Sequence, residues 1–175
     1  IPFALSVVLV GLGLWIRLRL TETPAFAKAL EEAPPAKAPL GELLIRHPLA
    51  TLAGTFAVVA CFAIFYLTTA FALGYGTTQL GYSRETFLGV QLGAIGFMAV
   101  GIILAGYWSD MTTPRRVLMA GCVATVAAGF VLAPMMGSGS ILLIWGFLSI
   151  GLFLMGLVYG PLGAFLPGLF PARVR

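Results

Sequence analysis

Five apolar runs dominate the pattern of hydrophobic and polar positions along the chain. No Asp, Glu, Lys or Arg interrupts any of them. A helix needs about 20 apolar residues to cross the hydrocarbon core of a bilayer, and these runs reach or approach that length. The pattern therefore predicts an all-α polytopic membrane protein. The predicted transmembrane helices cover residues 1–16, 48–73, 87–108, 117–135 and 141–165.

The composition agrees with this prediction. Hydrophobic residues make up 60% of the chain and charged residues 9%, and the mean hydropathy is +1.04. A soluble domain carries about 25% charged residues, so a water-soluble core is excluded. The net charge of +4 does not indicate nucleic-acid binding, because the basic residues flank the apolar runs rather than form one patch. Because the chain opens on an apolar run at Ile1 without a Met, we expect an internal fragment of a longer protein.

The basic residues predict the topology. If the five helices are threaded in turn, nine of the ten Lys and Arg residues fall on one side, and only Arg84 falls on the other, next to Glu85. By the positive-inside rule the basic side is cytoplasmic. The one long loop, 17–47, lies on that side, and we predict two short helices within it, at 25–32 and 40–46.

The predicted spans contain no ionisable residue near their middle. Charged groups at that depth usually mark proton relays and ion paths, so we expect any proton coupling to reside outside this segment. The single histidine, His47, lies in a loop without a metal-ligating partner at a useful spacing, and the sequence contains no nucleophile–base set or phosphate-binding glycine loop. We therefore expect neither an enzyme nor a metal site or cofactor.

One face of the second predicted helix carries uncharged polar and aromatic side chains. At 100° per residue, the members of this stripe fall within about 60° of one another. They are Thr51, Thr55, Phe62, Tyr66, Thr69 and Leu73. One interpretation is that the stripe lines a water-filled cavity, where Tyr66 and the threonine hydroxyls bind a substrate. The alternative is that the hydroxyls bond to their own helix and that Tyr66 packs between helices.

Two further positions are candidates for the same cavity. Gln91 lies within the third predicted helix, where its amide must face protein or a cavity because lipid offers no hydrogen bonds. Tyr159 precedes Gly160 and Pro161, and interrupted helices often face the substrate in carriers. A tolerated kink with a packed tyrosine explains the same residues. The predicted substrate-cavity residues are Tyr66, Thr69, Thr55, Phe62, Gln91 and Tyr159.

Glycines recur four residues apart in the third and fifth predicted helices. Gly89 and Gly93 form one such pair, and Gly156 and Gly160 form the other. Glycines at this spacing remove side chains from one face and let a neighbouring helix approach closely. Both pairs therefore predict helix packing.

The loop after the third predicted helix carries the sharpest local motif, Gly106-Tyr-Trp-Ser-Asp110-Met-Thr-Thr-Pro-Arg115-Arg116. It resembles the cytoplasmic loop signature of the major facilitator superfamily: Gly, three residues, Asp, then a Gly and a run of Arg. The Thr-Pro before Arg115 departs from that signature. The resemblance implies that Gly106 lets two helices touch, that Asp110 sits against a helix N-terminus, and that the arginines hold the cytoplasmic side.

Three further stretches resemble the metabolite:proton symporter family within that superfamily. They are Ile1-Pro-Phe through Glu22-Thr-Pro24-Ala-Phe26, Phe65-Tyr66-Leu-Thr-Thr69, and Tyr159-Gly-Pro161 through Phe-Pro171-Ala-Arg173-Val-Arg175. The resemblance covers nearly the whole chain, but only helices six to ten of a twelve-helix fold. It implies a partial superfamily helix bundle. In it, 1–16 is the last helix of the N-terminal half, 17–47 joins the halves, and 48–175 holds the first four helices of the C-terminal half.

The same resemblance implies a function. It implies a proton-coupled transporter that imports a small metabolite, such as an organic acid, across a bacterial-type inner membrane by alternating access. Arg173 would join the cytoplasmic gate, although Gly168 stands where the family usually has an acidic residue. The implied partners are the substrate, protons, the lipid bilayer and the missing N-terminal half of the same chain. The alternatives are another carrier of the superfamily, an exporter or uniporter, and a non-transport membrane subunit.

Overall fold

A computed structural model of the chain describes residues 2–19 and 39–170. The side chains it describes are those of residues 6–18, 41 and 44–170. Every regular element in these ranges is helical, as the apolar pattern predicts. Contacts divide the chain into two compact units, with the boundary after Glu42.

In the first unit, helix α1 covers Pro2–Arg19. The predicted first span falls on this helix. Helix α2, Pro39–Arg46, occupies the position of the second short helix predicted in the long loop. The other short helix predicted there, at 25–32, lies outside the described residues.

Four helical spans build the second unit, and each is long and apolar enough to cross a membrane. They are Pro48–Thr78, Arg84–Met111, Pro114–Gly137 and Ile141–Gly168. Each extends the corresponding predicted span at one or both ends. Loops of only a few residues separate consecutive spans, so neighbours along the chain run antiparallel.

The first and last of these spans are interrupted. The first consists of α3 (Pro48–Tyr66), a π-helical turn at Leu67–Phe71, called the π-turn below, and α4 (Ala72–Thr78). The last consists of α7 (Ile141–Tyr159) and α8 (Leu162–Gly168), and it breaks at Gly160 and Pro161. The two middle spans, α5 (Arg84–Met111) and α6 (Pro114–Gly137), have no such break.

The loops at the predicted outer end are tied together. Gly81 and Gly139 turn the chain there with φ of +74° and +70°, values that a residue with a Cβ rarely adopts. Between them, the Tyr82 hydroxyl donates a hydrogen bond of 2.6 Å to the Gly139 carbonyl. Ser83 then caps α5, because its Oγ accepts a hydrogen bond of 3.1 Å from the Thr86 amide.

Helix α7 is the central helix of this unit. In its span, 56% of the 18-residue apolar stretch is buried, whereas the corresponding stretches of the other three spans are 17–22% buried. One buried cluster fills the half nearer the predicted outer end, and a second fills the half nearer the predicted cytoplasmic end. The first comprises Ala72, Phe87, Ala94, Met136, Ile144, Phe147, Leu148 and Leu152. The second comprises Ala57, Cys61, Leu118, Met155, Val158 and Leu162.

Helices α5 and α7 approach each other most closely at two glycines. A Cβ on Gly101 would collide with the Phe153 carbonyl oxygen, and a Cβ on Gly156 would collide with the Met98 carbonyl oxygen. Because both obstacles are backbone atoms, neither glycine can be replaced without moving the helices apart. We refer to this contact as the glycine seam.

The glycine pairs predicted from the sequence differ in their role. At Gly160, as at Gly156, a Cβ would meet α5, at 2.8 Å from the Ala105 Cβ, so the packing predicted for this pair is confirmed. At Gly89 a Cβ would meet nothing within 4 Å, and at Gly93 it would lie in ordinary contact with the Trp145 indole. The packing prediction is therefore wrong for Gly89 among the described residues, since no helix passes over that side of α5.

Candidate functional site

The predicted cavity stripe lies on an open face of α3. Thr55 is exposed, Phe62 is 44% exposed and Tyr66 is 61% exposed. Within the described part of the second unit no other helix covers this face. The Tyr66 hydroxyl has no hydrogen-bond partner there, so a donor on this face is left open. Such a face suits a cavity wall or the surface of a partner helix.

The threonine hydroxyls of the stripe bond to their own helix. Thr55 Oγ1 donates to the Thr51 carbonyl at 2.9 Å, and Thr69 Oγ1 donates to the Phe65 carbonyl at 2.5 Å. This is the own-helix bonding that the sequence left as an alternative. Each hydroxyl oxygen still has lone pairs and can accept a hydrogen bond. Toward a ligand these threonines therefore act as acceptors, while Tyr66 can donate.

The π-turn lies directly after Tyr66 and contains Thr69. Within it the Ala72 amide donates to the Leu67 carbonyl, five residues back, instead of making the regular bond to the carbonyl of Thr68. Such turns occur frequently at functional sites. Leu73, which regular helical spacing placed on the stripe, lies beyond the turn and packs against the outer buried cluster.

Gln91 takes a different position from the cavity-facing one expected. It is 7% exposed and lies between α5 and the π-turn. Its Nε2 donates a hydrogen bond of 3.2 Å to the Thr68 carbonyl. Thr68 is itself 3% exposed, and its methyl group occupies the space that a Cβ on Gly151 of α7 would need. The amide thus joins two helices at the turn.

Tyr159 is the last residue of α7 and is 45% exposed. The helix breaks immediately after it, as the Gly160-Pro161 pair predicted, and α8 resumes at Leu162. No hydrogen bond or ring contact joins Tyr159 to Tyr66 or Gln91 within the described ranges. The structure therefore does not bring all six predicted cavity residues into one constellation.

Two apolar cavities lie on other faces of the unit. One, of about 410 Å³, lies between the π-turn, α6 and α7, and the other, of about 430 Å³, lies between the halves of α5 and α7 nearer the predicted cytoplasmic end. None of the six predicted cavity residues lines either one. Among the described residues, no group of three or more His, Cys, Asp or Glu side chains could hold a metal ion.

The loop motif is exposed at its charged positions. Asp110 lies one residue before the end of α5, and Arg115 and Arg116 lie in the first turn of α6. No ion pair joins these three side chains in the described part of the chain. The remaining residue assigned to the gate, Arg173, lies outside the described residues.

The Thr-Pro departure from the signature has a structural reason. Thr113 is the N-cap of α6, and its Oγ1 accepts a hydrogen bond of 3.4 Å from the Arg116 amide. Pro114 then occupies the first helical position, where its fixed φ suits the helix and its missing N–H costs nothing. These two residues start the next span abruptly after a loop of only two residues.

Gly106 makes no helix contact within the described part of the second unit. A Cβ there would meet nothing within 4 Å among the described residues. Helix α7 instead packs on the neighbouring Ala105 through Gly160. Gly106 lies about 100° further round the helix axis, so it faces away from α7. The helix contact that the resemblance implies at Gly106 stays a prediction.

Comparison with known proteins decides the family. The family model described as Major Facilitator Superfamily matches residues 1–175, the whole chain. The chain belongs to the major facilitator superfamily. This superfamily consists of membrane transport proteins rather than enzymes, which agrees with the expectation from the sequence. The four spans of the second unit are part of a superfamily helix bundle.

Relatives of this superfamily member include several transport proteins. It is 37% identical over 180 residues to an inner membrane metabolite transport protein of Escherichia coli, covering 100% of the chain and 41% of that relative. It is 33% identical over 132 residues to a shikimate transporter of Escherichia coli, covering 74% of the chain and 30% of the relative. It is 25% identical over 187 residues to a proline/betaine transporter of Salmonella typhimurium, covering 100% of the chain and 37% of that relative.

These relatives place the superfamily member in a bacterial-type inner membrane as a multi-pass protein. The chain spans about two fifths of the length of the first relatives it matches. No solved structure is significantly similar to it. The resemblance stated from the sequence motifs is thus confirmed for the superfamily.

Proposed function

We propose that the complete protein is a proton-coupled secondary transporter that imports a small organic acid by alternating access. Superfamily membership and the relative named as a metabolite transport protein support a transport function. The observation that carries the proposed site is Tyr66, a hydroxyl donor without a partner among the described residues, on an open helix face that also carries Thr55 and Thr69. A carboxylate substrate can accept a hydrogen bond from this hydroxyl.

The proposal assigns parts of the carrier to the segments of the chain. Residues 1–16 would end the N-terminal half, 17–47 would link the halves, and 48–175 would begin the C-terminal half. The open face of α3 would then border the substrate cavity of the carrier. Because no charged residue lies in the middle of a described span, the proton-coupling groups belong to parts of the protein outside this chain.

The substrate class is tested by uptake. Cells that produce the complete protein should accumulate labelled shikimate or another organic acid, and a protonophore should abolish the accumulation. The relative named as a proline/betaine transporter favours a second candidate, a zwitterionic substrate. Uptake of proline or betaine without uptake of organic acids would replace the first proposal with the second. Accumulation that a protonophore leaves unchanged would contradict proton coupling.

Replacing Tyr66 with phenylalanine should weaken substrate binding. The change removes one hydroxyl donor and leaves the ring in place, so we expect the KM for uptake to rise roughly tenfold, with unchanged amounts of protein in the membrane. The matched control is Tyr107→Phe, at another exposed tyrosine, 67% exposed, on α5. Equal KM values for the two variants would remove Tyr66 from the proposed site.

Replacing Asp110 with asparagine should slow turnover more than it weakens binding. Asp110 lies at the C-terminal end of α5, where the helix dipole disfavours a carboxylate, so its charge needs a positive partner during the transport cycle. We expect kcat to fall by about three- to tenfold with a similar KM. Glu85→Gln, an exposed acid at the opposite end of α5, is the control. If both variants keep the original kcat, Asp110 has no part in gating.

A further inference from the structure

The contact between Gln91 and the π-turn is the feature that packing alone does not explain. Gln91 is the largest buried polar side chain described in the second unit, and its amide reaches a backbone carbonyl 23 residues away along the chain. A buried amide inside a membrane span is costly unless it is hydrogen-bonded. Replacing Gln91 with an apolar residue would avoid that cost, so the contact itself needs a purpose.

The π-turn creates the acceptor that Gln91 satisfies. In a regular α-helix the Ala72 amide would bond to the Thr68 carbonyl. Here that amide is engaged with the carbonyls of Leu67 and Thr69. The Thr68 carbonyl thereby loses its ordinary partner in a region where water is excluded. The Gln91 amide replaces the missing N–H at 3.2 Å.

Thr68 is held from two further sides. Its Oγ1 donates to the Ile64 carbonyl at 2.8 Å and approaches the Phe65 carbonyl at 3.2 Å. Its methyl group fits against Gly151 of α7, where any side chain would collide with it. The π-turn is therefore fixed to α5 by a hydrogen bond and to α7 by close packing. The two stripe residues nearest Thr68 in the chain, Tyr66 and Thr69, depend on this arrangement.

We propose that Gln91 is a positioning residue, which keeps the π-turn in place and so sets the direction of Tyr66 relative to the rest of the stripe. The proposal rests on the proposed function of that stripe. Without the Gln91 bond, the Thr68 carbonyl competes for the Ala72 amide, and the span interconverts between the π-turn and a regular helix, which opens the amides of residues 67–73. A π-turn holds one residue more than a regular turn, so its loss rotates α3 against α4 by about 100°. Tyr66 would then point away from its present direction.

Three variants of the complete protein, reconstituted in lipid nanodiscs, test the proposal. Gln91→Met keeps the side-chain volume and removes the donor. Gln91→Glu can donate through its O–H when protonated but not when ionised. Leu92→Met changes a neighbouring residue that is 71% exposed, and serves as the control. The measurements are amide hydrogen exchange of residues 67–73 and the KM for substrate exchange at equal pH on both sides.

The expected results distinguish the effect of the Gln91 hydrogen-bond donor from the effect of its side-chain volume. Gln91→Met should raise the exchange rate of residues 67–73 roughly tenfold and raise the KM, while kcat changes little. Gln91→Glu should resemble the original protein at low pH. At high pH its ionised carboxylate cannot donate to the Thr68 carbonyl, so exchange should be faster than in the original protein at the same pH. Leu92→Met should leave both measurements unchanged. A merely space-filling role for Gln91 predicts no difference between Gln91→Met and the original protein.

Two outcomes would overturn the proposal, and they are distinguishable. Unchanged hydrogen exchange in Gln91→Met would show that the amide does not hold the turn. Faster exchange with an unchanged KM would show that the turn does not position the binding residues. In the second case Tyr66→Phe locates the fault. If that variant raises the KM, only the role of Gln91 fails; if it does not, the proposed stripe site fails as well.

Discussion

Gly156→Ala is expected to destabilise the protein by about 3 kcal/mol, enough to deplete the folded carrier from the membrane. The added methyl group would collide with the Met98 carbonyl oxygen and lie 2.9 Å from the Ile102 nitrogen. Neither atom can rotate away, because both belong to the backbone of α5. The two helices must separate, and the buried contacts along the seam weaken together. The measurement is the midpoint of thermal unfolding of the complete protein in detergent.

Gly96→Ala is the control for the glycine seam. It lies on α5, and a Cβ there would meet none of the described residues within 4 Å. Alanine has a higher helix propensity than glycine by about 1 kcal/mol, so this variant should be neutral or slightly more stable. The two substitutions are chemically identical and should have effects of opposite sign. Similar losses in both variants would contradict the close approach at Gly156.

Phe87→Ala should cost about 3–5 kcal/mol of unfolding free energy. The Phe87 ring is fully buried in the outer cluster and packs directly on Gly76, where a Cβ would collide with it. Inside a bilayer, helices are held together by packing rather than by exclusion of water. The space left by the Phe87 ring would therefore remove packing contacts that nothing replaces. The same thermal unfolding assay measures the effect, together with the amount of protein recovered from membranes.

Phe130→Ala provides the comparison for the buried ring. Phe130 lies on α6 and is 83% exposed, so its loss removes little packing within the described unit. We expect a change within about 0.5 kcal/mol. If Phe130→Ala is as damaging as Phe87→Ala, the packing of the second unit is not what limits stability.

The spans of the second unit could be predicted from the sequence because bilayer thickness imposes a length on any crossing helix. An uncharged apolar run near 20 residues rarely forms anything but a transmembrane helix. The ends were placed less well, since the capping residues Ser83 and Thr113 are polar and fall outside the apolar runs. The break at Pro161 was also predictable, because proline cannot continue the hydrogen-bond ladder.

The interior of the candidate site was not predictable in the same way. Residues 67–71 contain neither Pro nor Gly, so the sequence does not predict the π-turn. Placing residues at 100° per residue assumes that the span is a regular helix. The sequence indicated that the Gln91 amide needs a hydrogen-bond partner. It could not indicate which one, because the partner is a backbone carbonyl and every residue has one. The sequence does not distinguish Gly101 from Gly106. Only the path of α7 in the structure shows that Gly101 is in close contact with it and that Gly106 is not.

The hydrogen bond between Tyr82 and Gly139 means that the two ends of the second unit are held by different kinds of contact. It joins two loops at one end, where the outer cluster also fills the interior. At the other end the short helix after Pro161 packs through Leu162 into the second buried cluster. A denaturant that competes for hydrogen bonds and a substitution that removes side-chain volume should therefore loosen opposite ends of this unit first.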